Sequence, residues 1–282
     1  YARMERAERY GALVALLQAR AQKEPQPKRR AAMFRRIAQL CTKRLDDDDA
    51  AASAWRALLL CEEDGDALRY LHARARRRDE SETQVDYLAR LAAIEPDREE
   101  RRDLLFEQGH LLRMRLGRPE QAVRVLREII ERIDPEFEPA LDELASAAEA
   151  AGDAEALTST LELLLARQAD DEARLDHLRR LADLYEGDPK SGARSVSALE
   201  RWIVVRPEDP EPRRRLLAHL ESAGDHGAQI APLDALAKLE PDEARRTTTL
   251  LRAAELTLDR LHDAKAAWER ARSLATSGDP RV

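Results

Sequence analysis

Apolar residues along this chain recur at steps of three and four, the spacing of helices with one buried face, and Gly, Pro and Asp cut the pattern into short segments. From residue 98 onward, Leu104, Leu105, Leu111 and Leu112 form one stripe that ends at Gly117-Arg118-Pro119. Glycine favours a helix stop and proline a helix start, so a second helix follows at once. Its stripe is Ala122, Val125, Leu126, Ile129 and Ile130, and Asp134-Pro135 closes it because the residue before proline disfavours the helical region. Segments 139–151 and 154–167 flank Gly152-Asp153, and the cycle restarts at Asp171. Similar breaks at Asp64-Gly65-Asp66, Pro207 to Pro210, Gly224-Asp225 and Glu240-Pro241-Asp242 predict about fifteen helices joined by short turns.

The pattern also returns over a longer distance. Small residues Ala38, Gly109, Ala182 and Ala254 stand 71, 73 and 72 positions apart, and Ala73, Ala145 and Leu217 repeat at 72 and 72 on the intervening pairs. A period of that length predicts stacked supersecondary units, none able to bury its apolar face alone. Two successive helix pairs therefore form one double repeat. The expected organisation is one continuous array with units at 25–97, 98–170 and 171–241, and partial units at 1–24 and 242–282. Residues 1–22 read as the second helix of a pair, and the final residues run into a polar tail without a capping helix. Both ends suit a segment of a longer chain.

The order of residues resembles the tetratricopeptide repeat, an antiparallel pair of helices. Leu105, Gly109, Leu112, Ala122, Leu126, Ile129 and Pro135 follow that family's sequence of large, small and closing residues. Ala38, Cys41, Trp55 and Leu58 match in an earlier unit, and Leu216, Leu217, Leu220, Gly224, Leu233, Leu236 and Pro241 in a later one. The resemblance implies an all-α, right-handed superhelical solenoid of antiparallel helix pairs. In such arrays the small residues mark close helix crossings, and Trp55, Leu126, Leu199 and Trp202 fill the space between neighbouring pairs.

Composition narrows the function. Charged residues make up 37% of the 282 positions and aromatics 4%, the profile of amphipathic helices packed by aliphatic side chains. The 48 basic and 55 acidic residues are interspersed and sum to −7, which sets up no field for nucleic acid or anionic lipid. Cys41 and Cys61 sit at apolar helical positions, too few for a disulfide framework, and favour a reducing, cytoplasmic compartment. No apolar run is long enough to cross a membrane. His72, His110, His177, His219, His226 and His262 form no metal-ligand spacing, and phosphate-loop and nucleophile-elbow motifs are absent. Asp46 to Asp49 lack the alternation and glycine of a calcium loop and read as a negatively charged helix start. No catalytic, cofactor-binding or metal site is expected.

The resemblance instead directs attention to a concave groove lined by the first helix of each pair, through positions one and four after the small residue. These positions run from basic to acidic: Arg74, Arg77, His110 and Arg113, then Glu149, Asp183, Glu186 and Glu221, with Arg35 adding to the basic end. The expected role is a non-catalytic protein-interaction scaffold whose basic half suits an acidic peptide. The family's carboxylate-binding branch uses paired Asn and Lys, and this chain has no Asn. Two other classes are a self-assembling segment stacking end to end, and an RNA-binding helical repeat, against which the acidic charge and missing Asn both weigh.

Overall fold

A computed structural model describes residues 2–188, 190–260 and 262–275. They contain fifteen α-helices and no strand. The chain comprises two compact units, one up to Leu157 and one from Thr158. The first holds α1 (Ala2–Lys23), α2 (Pro27–Leu40), α3 (Asp48–Leu59), α4 (Gly65–Arg77), α5 (Ser81–Ile94), α6 (Arg98–Met114), α7 (Pro119–Glu128) and α8 (Glu138–Ala151). After α9 (Ala154–Arg167), the second holds α10 (Asp171–Glu186), α11 (Gly192–Val205), α12 (Glu211–Ser222), α13 (His226–Leu239), α14 (Glu243–Asp259) and α15 (Ala264–Ala275). Tyr1 and the expected polar tail beyond Ala275 lie outside the described residues.

Within each unit, helices touch mainly their neighbours in sequence. That is the contact pattern of stacked pairs, in which each repeat depends on the next. The 72-residue period has a simple physical basis: first helices alternate in length. Long α6, α10 and α14 have 17, 16 and 17 residues, while α4, α8 and α12 have 13, 14 and 12. Alongside α2, a π-helical turn at Cys41–Leu45 lengthens the first helix, and another at Ile129–Ile133 lengthens α7. Neither turn leaves a periodicity signal, because the apolar stripe runs through it.

Turn chemistry repeats with the helices. The turn from first to second helix holds a left-handed residue at Asp46, Asp79, Gly117, Gly152, Gly224 and His262. Aspartates then cap helix starts: side chains of Asp47, Asp64, Asp97, Asp153, Asp170, Asp225, Asp242 and Asp263 each accept from a backbone N–H three residues on. Each such cap is worth about 0.5–2 kcal/mol. The four-aspartate run is thereby explained: Asp46 turns the chain and Asp47 caps α3.

The core follows the predicted stripes. Trp55, Leu126, Leu199 and Trp202 are buried, as are Ala38, Gly109, Ala145, Ala182, Leu217 and Ala254. At Gly109 an added Cβ would lie 2.7 Å from Leu126 Cγ, so the first and second helices of that pair cross closely there. Ala73 is a correction. It is exposed, and Leu71 and half-buried His72 occupy the places of Leu144 and Ala145, or of Leu216 and Leu217. The register of α4 is therefore one residue earlier than the spacing predicted.

Candidate functional site

The shifted register of α4 moves the positions one and four after its small residue from Arg74 and Arg77 to Ala73 and Arg76. Arg74 is only 4% exposed, since it packs toward α3 instead. Its Nε donates to Asp48 Oδ2 at 2.8 Å and its Nη2 to Asp49. Tyr70 Oη donates to Asp48 Oδ1 at 2.6 Å, and Arg77 and Arg78 reach Asp48 and Asp49 at 3.1 Å each. The Tyr70 hydrogen bond, with Arg74 and Arg77, holds the Asp48 carboxyl below the usual aspartate range despite some desolvation. Arg74 and Arg77 thus belong to a clamp between α3 and α4.

The other residues expected in the groove are also engaged. Arg35 donates to Asp64 at 2.5 Å and Glu62 at 3.0 Å. Arg113 grips Glu143 with two parallel bonds of 2.8 and 2.9 Å, and His110 Nδ1 lies 3.2 Å from the same carboxylate. Burial raises the Glu143 carboxyl, but the bonds and charge of Arg113, with His110, outweigh it and hold the group low. In the second unit, Arg215 bridges Glu186 at 2.9 and 2.8 Å and Asp183 at 2.7 Å, while Arg252 pairs with Glu221. Glu149 is exposed on α8.

One rule covers the contacts of Glu143, Arg215 and Arg252. A residue one or four positions after the small residue pairs with the residue two before the small residue on the next first helix. Glu143, Arg215 and Arg252 are those partners, two before Ala145, Leu217 and Ala254. The apparent swing from basic to acidic counted one side of each rung. Opposite charges at the minus-two positions were the missed signal.

Open clefts lie beside this ladder. In the first unit, one of about 670 Å³ is bounded by the ends of α4 and α6 and the start of α5, and includes Arg76, Gln84, Phe106, Glu107, His110 and Arg115. In the second, one of about 610 Å³ occupies the same place in the repeat, bounded by α10, α11 and α12 and including Tyr185, Ala193 and His219. Ser195 Oγ lies 2.9 Å from His219 Nε2, and Glu186 Oε1 lies 3.5 Å from the same nitrogen. A nucleophile, base and acid relay needs the acid on the opposite ring nitrogen, and Ser195 is fully buried. This trio is structural. No group of three or more metal-ligating side chains occurs among the described residues, and none of their helices is long and apolar enough to cross a membrane.

The antiparallel pairs, the small-residue crossing at Gly109 and the left-handed turn between helices define the architecture. The fold is tetratricopeptide-like. Among solved structures, similarity is found to a MamA protein at 15% identity, over 64% of this chain and 94% of that one, with a TM-score of 0.38. A TPR repeats protein from Bacteroides fragilis is 10% identical over 79% and 97%, with a TM-score of 0.39. A tetratricopeptide repeat protein from Parabacteroides merdae is 15% identical over 91% and 99%, with a TM-score of 0.33. These values mark likeness only. No protein-family model and no curated protein matches the chain.

Proposed function

We propose that this chain is a non-catalytic protein-interaction scaffold that binds extended partner segments along the faces built by its first helices, with an acidic partner favoured in the first unit. The supporting observation is the recurrence of an open cleft at the same place in both units, each made by three consecutive helices. Such a surface offers shallow, distributed contacts suited to an extended chain. An array of acidic, basic and apolar peptides tests the reading. Saturable binders that compete with one another and weaken in His110→Ala or His219→Ala support it; an array with no binder, or binders indifferent to both changes, overturns it.

Self-association is the second reading. It is favoured by Trp268 on α15, 67% exposed, and Leu258 on α14, 48% exposed, large apolar side chains facing solvent. Sedimentation velocity across a concentration series should then show growth that Trp268→Ala suppresses, whereas a concentration-independent monomer rejects it.

A further inference from the structure

In the first unit's ladder, the rung between α4 and α6 is open. By the register of α4, Arg76 is the residue four after the small position, and Glu107 is the residue two before Gly109. The rule pairs them, yet Arg76 makes no ion pair and Glu107 reaches only His72, at 3.8 Å, among the described residues. Both line the 670 Å³ cleft, together with Arg115, which also makes no ion pair among the described residues. Gln84, on the wall formed by α5, is 4% exposed, and its side-chain amide makes no hydrogen bond among the described residues. A buried amide facing a cleft without a partner is a group prepared for a ligand.

The comparison between units sharpens this. In the register of the small residues, Arg76, His110, Leu111 and Arg115 correspond to Glu186, Ala218, His219 and Ala223, and Gln84, first of the buried stripe on α5, corresponds to Ser195 on α11. The two guanidinium groups have no counterpart there, since Glu186 and Ala223 stand in their places, and the buried polar position of Gln84 holds Ser195, which is bonded to His219. Of these two clefts, the first unit's carries both arginines beside an unbonded amide.

We propose that the α4–α5–α6 cleft binds a carboxylate side chain of an extended acidic partner segment, through the guanidinium groups of Arg76 and Arg115 and the side-chain amide of Gln84. Two forked donors match the planar oxygens of a carboxylate. Phe106 and Leu111 provide apolar wall for a neighbouring side chain, and Glu107 and Asp79 can accept from the segment's backbone N–H groups. Those two carboxylates also disfavour a doubly charged phosphate. The proposal rests on the scaffold reading and assigns it a site.

The test uses the full chain and a blocked, fluorescein-labelled hexapeptide of alternating Glu and Leu, read by anisotropy beside its Gln-for-Glu counterpart. The Glu peptide should bind saturably and the Gln peptide about tenfold more weakly, the loss expected of a charge-assisted contact. Arg76→Gln and Arg115→Gln should each weaken the Glu peptide by a similar factor, and Gln84→Glu should abolish binding while circular dichroism stays unchanged. Arg77→Gln, with the same loss of charge beside the cleft, should change little. Equal effects of Arg77→Gln and Arg76→Gln, equal binding of the Gln peptide, or stronger competition by inorganic phosphate than by acetate would each overturn the assignment. If the acidic peptide fails while peptides of another class bind, this cleft assignment falls and the scaffold reading survives; if no peptide of any class binds, both fall.

Discussion

Gly109 sets up a measurable conflict between helix propensity and packing. In an open helix, Gly→Ala stabilises by roughly 0.5–1 kcal/mol because glycine loses more backbone freedom on folding. At Gly109 the new Cβ would stand 2.7 Å from Leu126 Cγ and 2.8 Å from Cδ2, where carbon contacts settle near about 3.5–4.0 Å. Leu126 is fully buried, so overpacking of about 1–3 kcal/mol opposes the propensity gain. Gly109→Ala should therefore range from neutral to about 2 kcal/mol destabilising. Gly11→Ala, in α1 with no atom within 4 Å of its Cβ, should gain stability and isolates the propensity effect. Leu126→Ala alone should cost about 2–5 kcal/mol, but in that background Gly109→Ala should become stabilising, a coupling of about 1–3 kcal/mol. Urea unfolding of all four variants by far-UV circular dichroism supplies the cycle, with fluorescence as a second probe because repeat arrays need not unfold in one step. A Gly109→Ala gain equal to that of Gly11→Ala, or a coupling near zero, would refute the close crossing.

Three further outcomes follow from geometry. Arg74→Ala should destabilise by about 1–3 kcal/mol through lost hydrogen bonds to charged partners, while Arg77→Ala, 65% exposed, should cost no more than about 1 kcal/mol; comparable melts would contradict the buried clamp. Because Glu143 is held below its ordinary value of 4.5, its ionised form stabilises the fold above that pH, and the benefit fades as pH falls through the lowered value. Glu143→Gln should accordingly lose stability relative to the parent at neutral pH, with the gap closing in acid, which a pH series of urea midpoints reads directly. His262→Gly should stabilise by up to about 1 kcal/mol by relieving a left-handed backbone, whereas Gly152→Ala should cost about 1–2 kcal/mol; calorimetry giving the opposite order would sink the turn assignment.

The helices were legible because apolar spacing and helix punctuation agree: segment 154–167 matches α9 at both ends. Register was less secure in α4, where alanines at 67, 73 and 75 offer several small-residue alignments and only burial selects among them. The groove charges were legible as residues but not as interactions. Arg113 and Glu143 are 30 positions apart, and the single-helix rule that found Arg113 ignored the facing helix that supplies its partner. Gln84 left no signal, being one polar residue on a second helix, and its interest arises only from burial beside a cleft.

The alternation of long and short first helices carries a consequence for how such a chain can be edited. Excising a single pair would bring two first helices of the same length class together. Removing residues 98–170 instead joins Asp97 directly to Asp171, leaving an aspartate cap ahead of another long first helix. We propose the double pair as the smallest interchangeable module, so that insertions or deletions in that quantum should give soluble, folded proteins where half-quantum edits do not.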